Sequence, residues 1–294
     1  MGLVYSRIYS GKSKGKAERR NWVLKKRRNI DVHAHIFPGK IAEKAVYSIG
    51  DFYGIPMEGK GSPKDLVNQG DKIGTQKYVV HSVATRPDQV QAINTFIMSQ
   101  MKIYNEFLGF AALHPYMDGI EAEIDRVIEA GMYGIKLHPD FQRFDIDDEK
   151  AIEMYAAIGN RLPVLIHMGD AVKTYSKPEK LARALDRCPE LNVIAAHFGG
   201  YHAWDEAKEY LMRREDIYFD TSSSLFMLAP EEAVYMAREH GMERMMFGTD
   251  YPMWLPEEEM ERFLELDMTE DERDMVLYRN AEKLLLKKEG MLRG

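Results

Sequence analysis

Pro163-Val164-Leu165-Ile166-His167 and Asn192-Val193-Ile194-Ala195-Ala196-His197 are two short apolar runs, each ending on a histidine. Between them Pro178 opens the stretch 179–187, and proline suits the first turn of a helix. Buried strand, helix and buried strand in that order predict parallel strands joined by a right-handed crossover. Outward from this unit the pattern repeats. Similar runs lie at 30–35, 77–83, 108–114, 133–138, 217–221 and 245–250, which with the first two makes eight. Helical spacing fills the gaps: Ile120, Ile124, Val127 and Ile128 recur at three and four, as do Ile152, Tyr155 and Ile158. Pro230 opens another helix at 231–240, and two more are expected at 256–266 and 270–286. Eight strand–helix units predict an α/β fold, a closed (β/α)8 or TIM barrel. The first connection, 37–76, is too long for a simple crossover and carries Gly54, Pro56, Gly59, Gly61 and Pro63. It reads as a loop over the mouth, a candidate lid.

At 294 residues the chain suits one barrel domain, here 30–294. Its 45% hydrophobic and 30% charged residues are the balance of a globular enzyme, and no apolar run is long enough to span a bilayer. A net charge of −7 speaks against nucleic acid as a partner. Cys188 is the sole cysteine, which excludes an internal disulfide and a multi-cysteine zinc site. It also fits a reducing, cytoplasmic setting. Residues 1–29 hold ten Lys and Arg against Glu18 alone, with no apolar period, and are expected to form a mobile basic arm. Gly2 and Ser6 fit the short myristoylation pattern, but a solvated tail without stable membrane association is the expectation.

Barrel enzymes carry their chemistry on the C-terminal ends of the strands. His33 and His35 are two apart on strand one and so share a face. Strand five ends at His167, strand six at His197 and strand eight at Asp250. Any one of these could be a core histidine or a helix cap. Their concurrence at one end of the predicted barrel points to a divalent ion held by imidazole and carboxylate, a donor set that suits zinc. Such an ion lowers the pKa of bound water. On strand four, Lys136 and His138 also share a face. Lys136 has three readings: a bridge between two metals, a cation for a substrate carboxylate, or half of a structural ion pair. Arg86, after strand two, is a second candidate anion anchor.

The runs Ile30-Asp31-Val32-His33-Ala34-His35, Gly134-Ile135-Lys136-Leu137-His138-Pro139, Pro163 to His167, Ala196-His197-Phe198-Gly199-Gly200 and Phe247-Gly248-Thr249-Asp250-Tyr251-Pro252 appear in order, followed by Asn280-Ala281. In this the chain resembles the amidohydrolase superfamily, in particular the branch of aminocarboxymuconate-semialdehyde decarboxylase and related metal-dependent hydrolases. The resemblance implies the metallo-dependent hydrolase type of barrel, with one zinc on His33, His35, His167 and Asp250. It implies that Asp250 also accepts a proton from water, and that His197 is an acid/base group that polarises the substrate. It allows, alternatively, a second metal bridged by a carboxylated Lys136, and it suggests a homodimer. The expected function is metal-dependent hydrolysis of a small, carboxylate-bearing molecule, with Lys136, His138 and Arg86 on the substrate. Rival readings are a non-oxidative zinc-dependent decarboxylase on the same site, a binuclear TatD-like nuclease, and a non-catalytic metal-binding protein.

Overall fold

Eight parallel strands pair in chain order in the computed structural model, which describes residues 27–286. They are β1 (Asn29–His35), β2 (Thr75–His81), β3 (Phe107–Ala112), β4 (Gly134–Leu137), β5 (Val164–Ile166), β6 (Val193–Ala195), β7 (Ile217–Asp220) and β8 (Met245–Met246). The ring closes between β8 and β1, where Val32 N donates to Phe247 O at 2.9 Å and Asp250 N donates to His33 O at 2.9 Å. Every expected strand is present, and the fold is a (β/α)8 barrel. Helices Pro178–Arg187 and Pro230–His240 start at the prolines that predicted them. No helix among the described residues is long and apolar enough to cross a membrane.

Side chains alternate across the wall. Ile30, Val32, Val79, Leu108, Phe110, Leu165, Ile194, Ala196 and Met246 form one cluster inside the barrel, joined by Ala281 and Leu285 from the C-terminal helical segment. Their neighbours Tyr78, Val80, Ile135, Leu137, Val164, Ile166, Val193 and Ala195 pack outward under the helices. On β4 the outward Ile135 and Leu137 flank Lys136, so the lysine points into the barrel. Gly134 makes room below it, since a Cβ there would meet the Phe110 ring at 2.5 Å.

β1 breaks the alternation. Asp31 pairs with Tyr78 and Ala34 with Val80, so β1 uses three steps against two on β2. This bulge adds one residue. Val32 points inward, and without the bulge His33 would face the helices. With it, His33 and His35 both enter the mouth while Ala34 packs outward. The ends of the other strands behave alike: His167, His197 and Asp250 follow strands that stop one to four residues earlier. His197 (φ 62°) and Asp250 (φ 57°) lie in the left-handed region, so the chain turns sharply there and aims each side chain across the mouth.

The connection 37–76 departs from the expected loop. It contains helix α1 (Gly39–Tyr53) and helix α2 (Pro63–Gly70), the latter capped by Ser62. Its turn is pinned to the loop after β8 by Gly59 N to Pro252 O at 2.9 Å and by Tyr251 Oη to Asp65 Oδ2 at 2.6 Å. Of the basic arm, residues 1–26 lie outside the described residues. Arg27 pairs with Glu270 at 2.8 Å, and the Arg28 guanidinium lies 4.5 Å from the centre of the Tyr278 ring. These contacts, with β1 starting at Asn29, begin three residues before the domain start expected at residue 30.

Glu259, in the helix Pro256–Leu264, is fully buried, and among the described residues Arg262 is its only ion partner and Oε2 is unbonded. Burial pushes its carboxyl up to about 8. A raised pKa means that the folded chain holds this proton after the unfolded chain has released it. Its contribution is therefore fully present below about pH 4.5 and is lost as pH rises to about 8. Stability should fall by up to about 1.4 kcal/mol per pH unit in that window. Urea unfolding of wild type and Glu259→Gln at stepped pH checks this, and the variant's slope should be shallower by that amount, with Asp31 and Asp140, raised to about 7 and about 6, keeping theirs.

Candidate metal centre

The histidine pair from β1 meets Asp250 across the seam of the barrel. His33 Nε2 lies 3.4 Å and His35 Nε2 3.3 Å from Asp250 Oδ1. Four donors bound tetrahedrally to zinc at about 2.0–2.1 Å stand roughly 3.3–3.4 Å apart, so these separations fit one ion. Gly248 permits the approach, because a Cβ there would meet His33 Cβ at 3.0 Å. Behind His33 stands Asp220 at the end of β7, its Oδ2 2.8 Å from Nδ1. The carboxylate fixes the proton on Nδ1 and leaves the Nε2 lone pair facing the mouth, the usual support of a metal-bound histidine. Asp220 also accepts from the backbone N–H of His197 and of Ser222, both at 3.0 Å.

His167 and His197 meet at the neighbouring strand ends, and one donor of His167 lies within 4.8 Å of donors of His138 and Asp140. Hydrogen positions follow from the partners. His167 Nε2 faces Gly169 O at 2.9 Å and His197 Nδ1 faces Ser222 O at 3.0 Å, so each of these nitrogens carries a proton. In neutral rings that leaves His167 Nδ1 and His197 Nε2, 2.9 Å apart, with two lone pairs turned toward each other. Such a contact is repulsive unless a cation takes up one of the lone pairs or a proton joins them; a metal on His167 Nδ1 would leave His197 Nε2 free to hold a proton. Burial first, then the neighbouring cation and imidazoles, hold His33 and His167 well below the ordinary histidine value, so both are neutral. Burial alone would raise Asp250, but His33, His35 and His197 outweigh it and keep the carboxylate ionised. Neutral imidazole and ionised carboxylate are the metal-binding forms.

Lys136 is 1% exposed, and its Nζ sits 3.0 Å from His33 Nε2. Burial lowers its pKa to about 8, Asp250 and Asp220 opposing. Among the described residues no carboxylate lies within ion-pair distance of it. His138 stacks on His167 at 3.8 Å, caps the next turn through Phe141 N, and meets Tyr53 Oη at 3.0 Å. Arg86 stands apart from the rest: exposed, it is bound twice to Asp88, both contacts at 2.9 Å. The chain turns outward after β2, so the guanidinium finds its carboxylate two residues away.

Tyr53, at the end of α1, covers the centre. With Ile49, Met57, His35, His138, His167 and Asp250 it encloses a void of about 20 Å³, room for roughly one water. Beyond His35 and Phe141 opens a cavity of about 610 Å³, lined mainly by apolar side chains that include Phe37, Ile41, Phe52 and Phe96. Sequence reasoning passed over Asp220 and His81. Both end strands, as Asp250 ends strand eight, so the rule that found Asp250 would have found them.

Fold and site together define a barrel enzyme with a candidate metal centre at the C-terminal ends of its strands. The amidohydrolase family model matches residues 30–286, and the chain belongs to that family. Among curated proteins it is similar to the decarboxylase orsB of Emericella nidulans, 34% identical over 130 residues. That match covers 42% of this chain and about a third (34%) of the relative's length. Among solved structures, an uncharacterised TIM-barrel protein of Bordetella bronchiseptica superposes with a TM-score of 0.73 at 21% identity, over 90% of this chain and 100% of its own. A 5-carboxyvanillate decarboxylase of Novosphingobium aromaticivorans, complexed with manganese and 4-hydroxy-3-methoxy-5-nitrobenzoic acid, gives 0.67 at 16% identity, over 88% and 96%. At these identities the solved structures support the fold alone.

Proposed function

We propose that this chain is a metal-dependent, non-oxidative decarboxylase of small aromatic carboxylic acids. The observation that carries the reading is Lys136, a buried cation beside the metal donors with no carboxylate of the described residues in ion-pair range. An unpaired buried ammonium is costly, and a substrate carboxylate would supply its partner. The apolar cavity beyond His35 suits an aromatic ring. Sequence reasoning placed hydrolysis first, but the curated relative and the manganese complex are both named as decarboxylases, which favours the alternative.

His33, His35, His167 and Asp250 would hold one divalent ion, which would supply a Lewis acid for the substrate's oxygen atoms. Zinc is the ion these imidazole-rich donors favour. Lys136 would orient the carboxylate, and His197 or Asp250, once it has taken up a proton from solvent, would deliver that proton to the ring carbon. The C–C bond then breaks, its electron pair stays with the carbon that takes the proton, and CO2 leaves. A role for His138 in orienting the ring follows from its stack on His167. Arg86 is not part of this reading.

A panel of hydroxybenzoic acids, 13C-labelled at the carboxyl and incubated with metal-loaded enzyme in D2O, tests the proposal. The expected result is labelled CO2 and a phenol carrying one deuterium at the former carboxyl carbon. Turnover of amides or lactones without release of CO2 from any carboxylate would return the assignment to hydrolysis.

A further inference from the structure

His81 is fully buried, and neither ring nitrogen has a hydrogen-bond partner among the described residues. It ends β2 directly opposite His35 in the register of β1. Val79, two residues earlier, belongs to the inner cluster, so His81 points into the mouth. Its ring meets His35 edge-on at 4.4 Å and His33 at 5.0 Å. One nitrogen from each of His33, His35 and His81 lies within 4.8 Å of the others. Leaving a buried polar group unmade costs about 1–3 kcal/mol. Here an acceptor and a donor are both unused, beside two residues already assigned to a metal.

We propose that His81 is an additional ligand of the metal held by His33, His35 and Asp250. The inference rests on the metal reading above but not on the choice of reaction. It raises the coordination number beyond the four ligands of the sequence analysis.

Cobalt(II) titration of wild type and His81→Leu, with a competing chelator, tests this. The variant should bind cobalt at least about 10–100-fold more weakly, a loss typical even of residues that only support ligands. Its visible absorption should intensify as the site falls to four-coordinate. One cobalt per chain, with unchanged affinity and spectrum in the variant, would overturn the proposal while leaving the metal reading intact. A wild type that binds no metal would overturn both. Should His81→Leu fail to fold, cadmium-113 coupling to 15N-labelled histidine in the loaded wild type decides instead. Four coupled imidazoles are expected, and three would exclude His81.

Discussion

Asp250→Asn should reduce turnover by about 10²–10⁴-fold, the range a positioned acid/base group contributes, and should weaken metal binding as well. The carboxylate touches both β1 histidines and is ionised, and its second oxygen is held by Ser223 Oγ at 2.6 Å. An amide keeps the shape but loses the charge that offsets a divalent ion. His197→Asn separates the roles. Its ring is tied to Ser222 and supported by Asp220 through the backbone, so the variant should keep its metal and lose turnover. Elemental analysis beside steady-state kinetics reads both quantities. If His197→Asn emptied the site, His197 would be a ligand, and the 2.9 Å approach of its Nε2 to His167 Nδ1 would mark two ligands of one ion.

Lys136→Met should weaken binding of the carboxylate substrate by about 2–5 kcal/mol, as when one member of a buried charge pair is removed. Affinity for the neutral decarboxylated phenol should change little. The melting temperature should hold or rise, because the variant no longer buries an ammonium without a carboxylate partner. Calorimetric titration of both ligands into metal-loaded protein measures the difference. Equal losses for charged and neutral ligands would mean that Lys136 serves Asp250 and Asp220 rather than substrate. Loss of a second equivalent of metal would instead point to the carboxylated, bridging form. The burial that lowers its pKa to about 8 leaves a fraction of neutral amine for that chemistry.

By itself the sequence determined the barrel and which strand ends carry polar chemistry. A buried parallel strand must be a continuous apolar run, and its crossover helix must repeat at three and four, so both periods are written in the residues. His33, His35, Lys136, His138, His167, His197 and Asp250 interrupt or end those runs, which made them legible. The tertiary structure decided how they combine. Whether His33 faces the mouth depends on a bulge set by pairing with β2, and no periodicity within β1 encodes it. That His33 rests on Asp220 joins residues 187 positions apart, a relation that only barrel closure creates. Arg86 and His81 reversed their apparent importance for the same reason. The exposed Arg86 found Asp88 in its own turn, whereas His81 was carried into a space where no protein group of the described residues meets its nitrogens. Local sequence fixes what a residue can bond; the packing of distant strands fixes what it is offered.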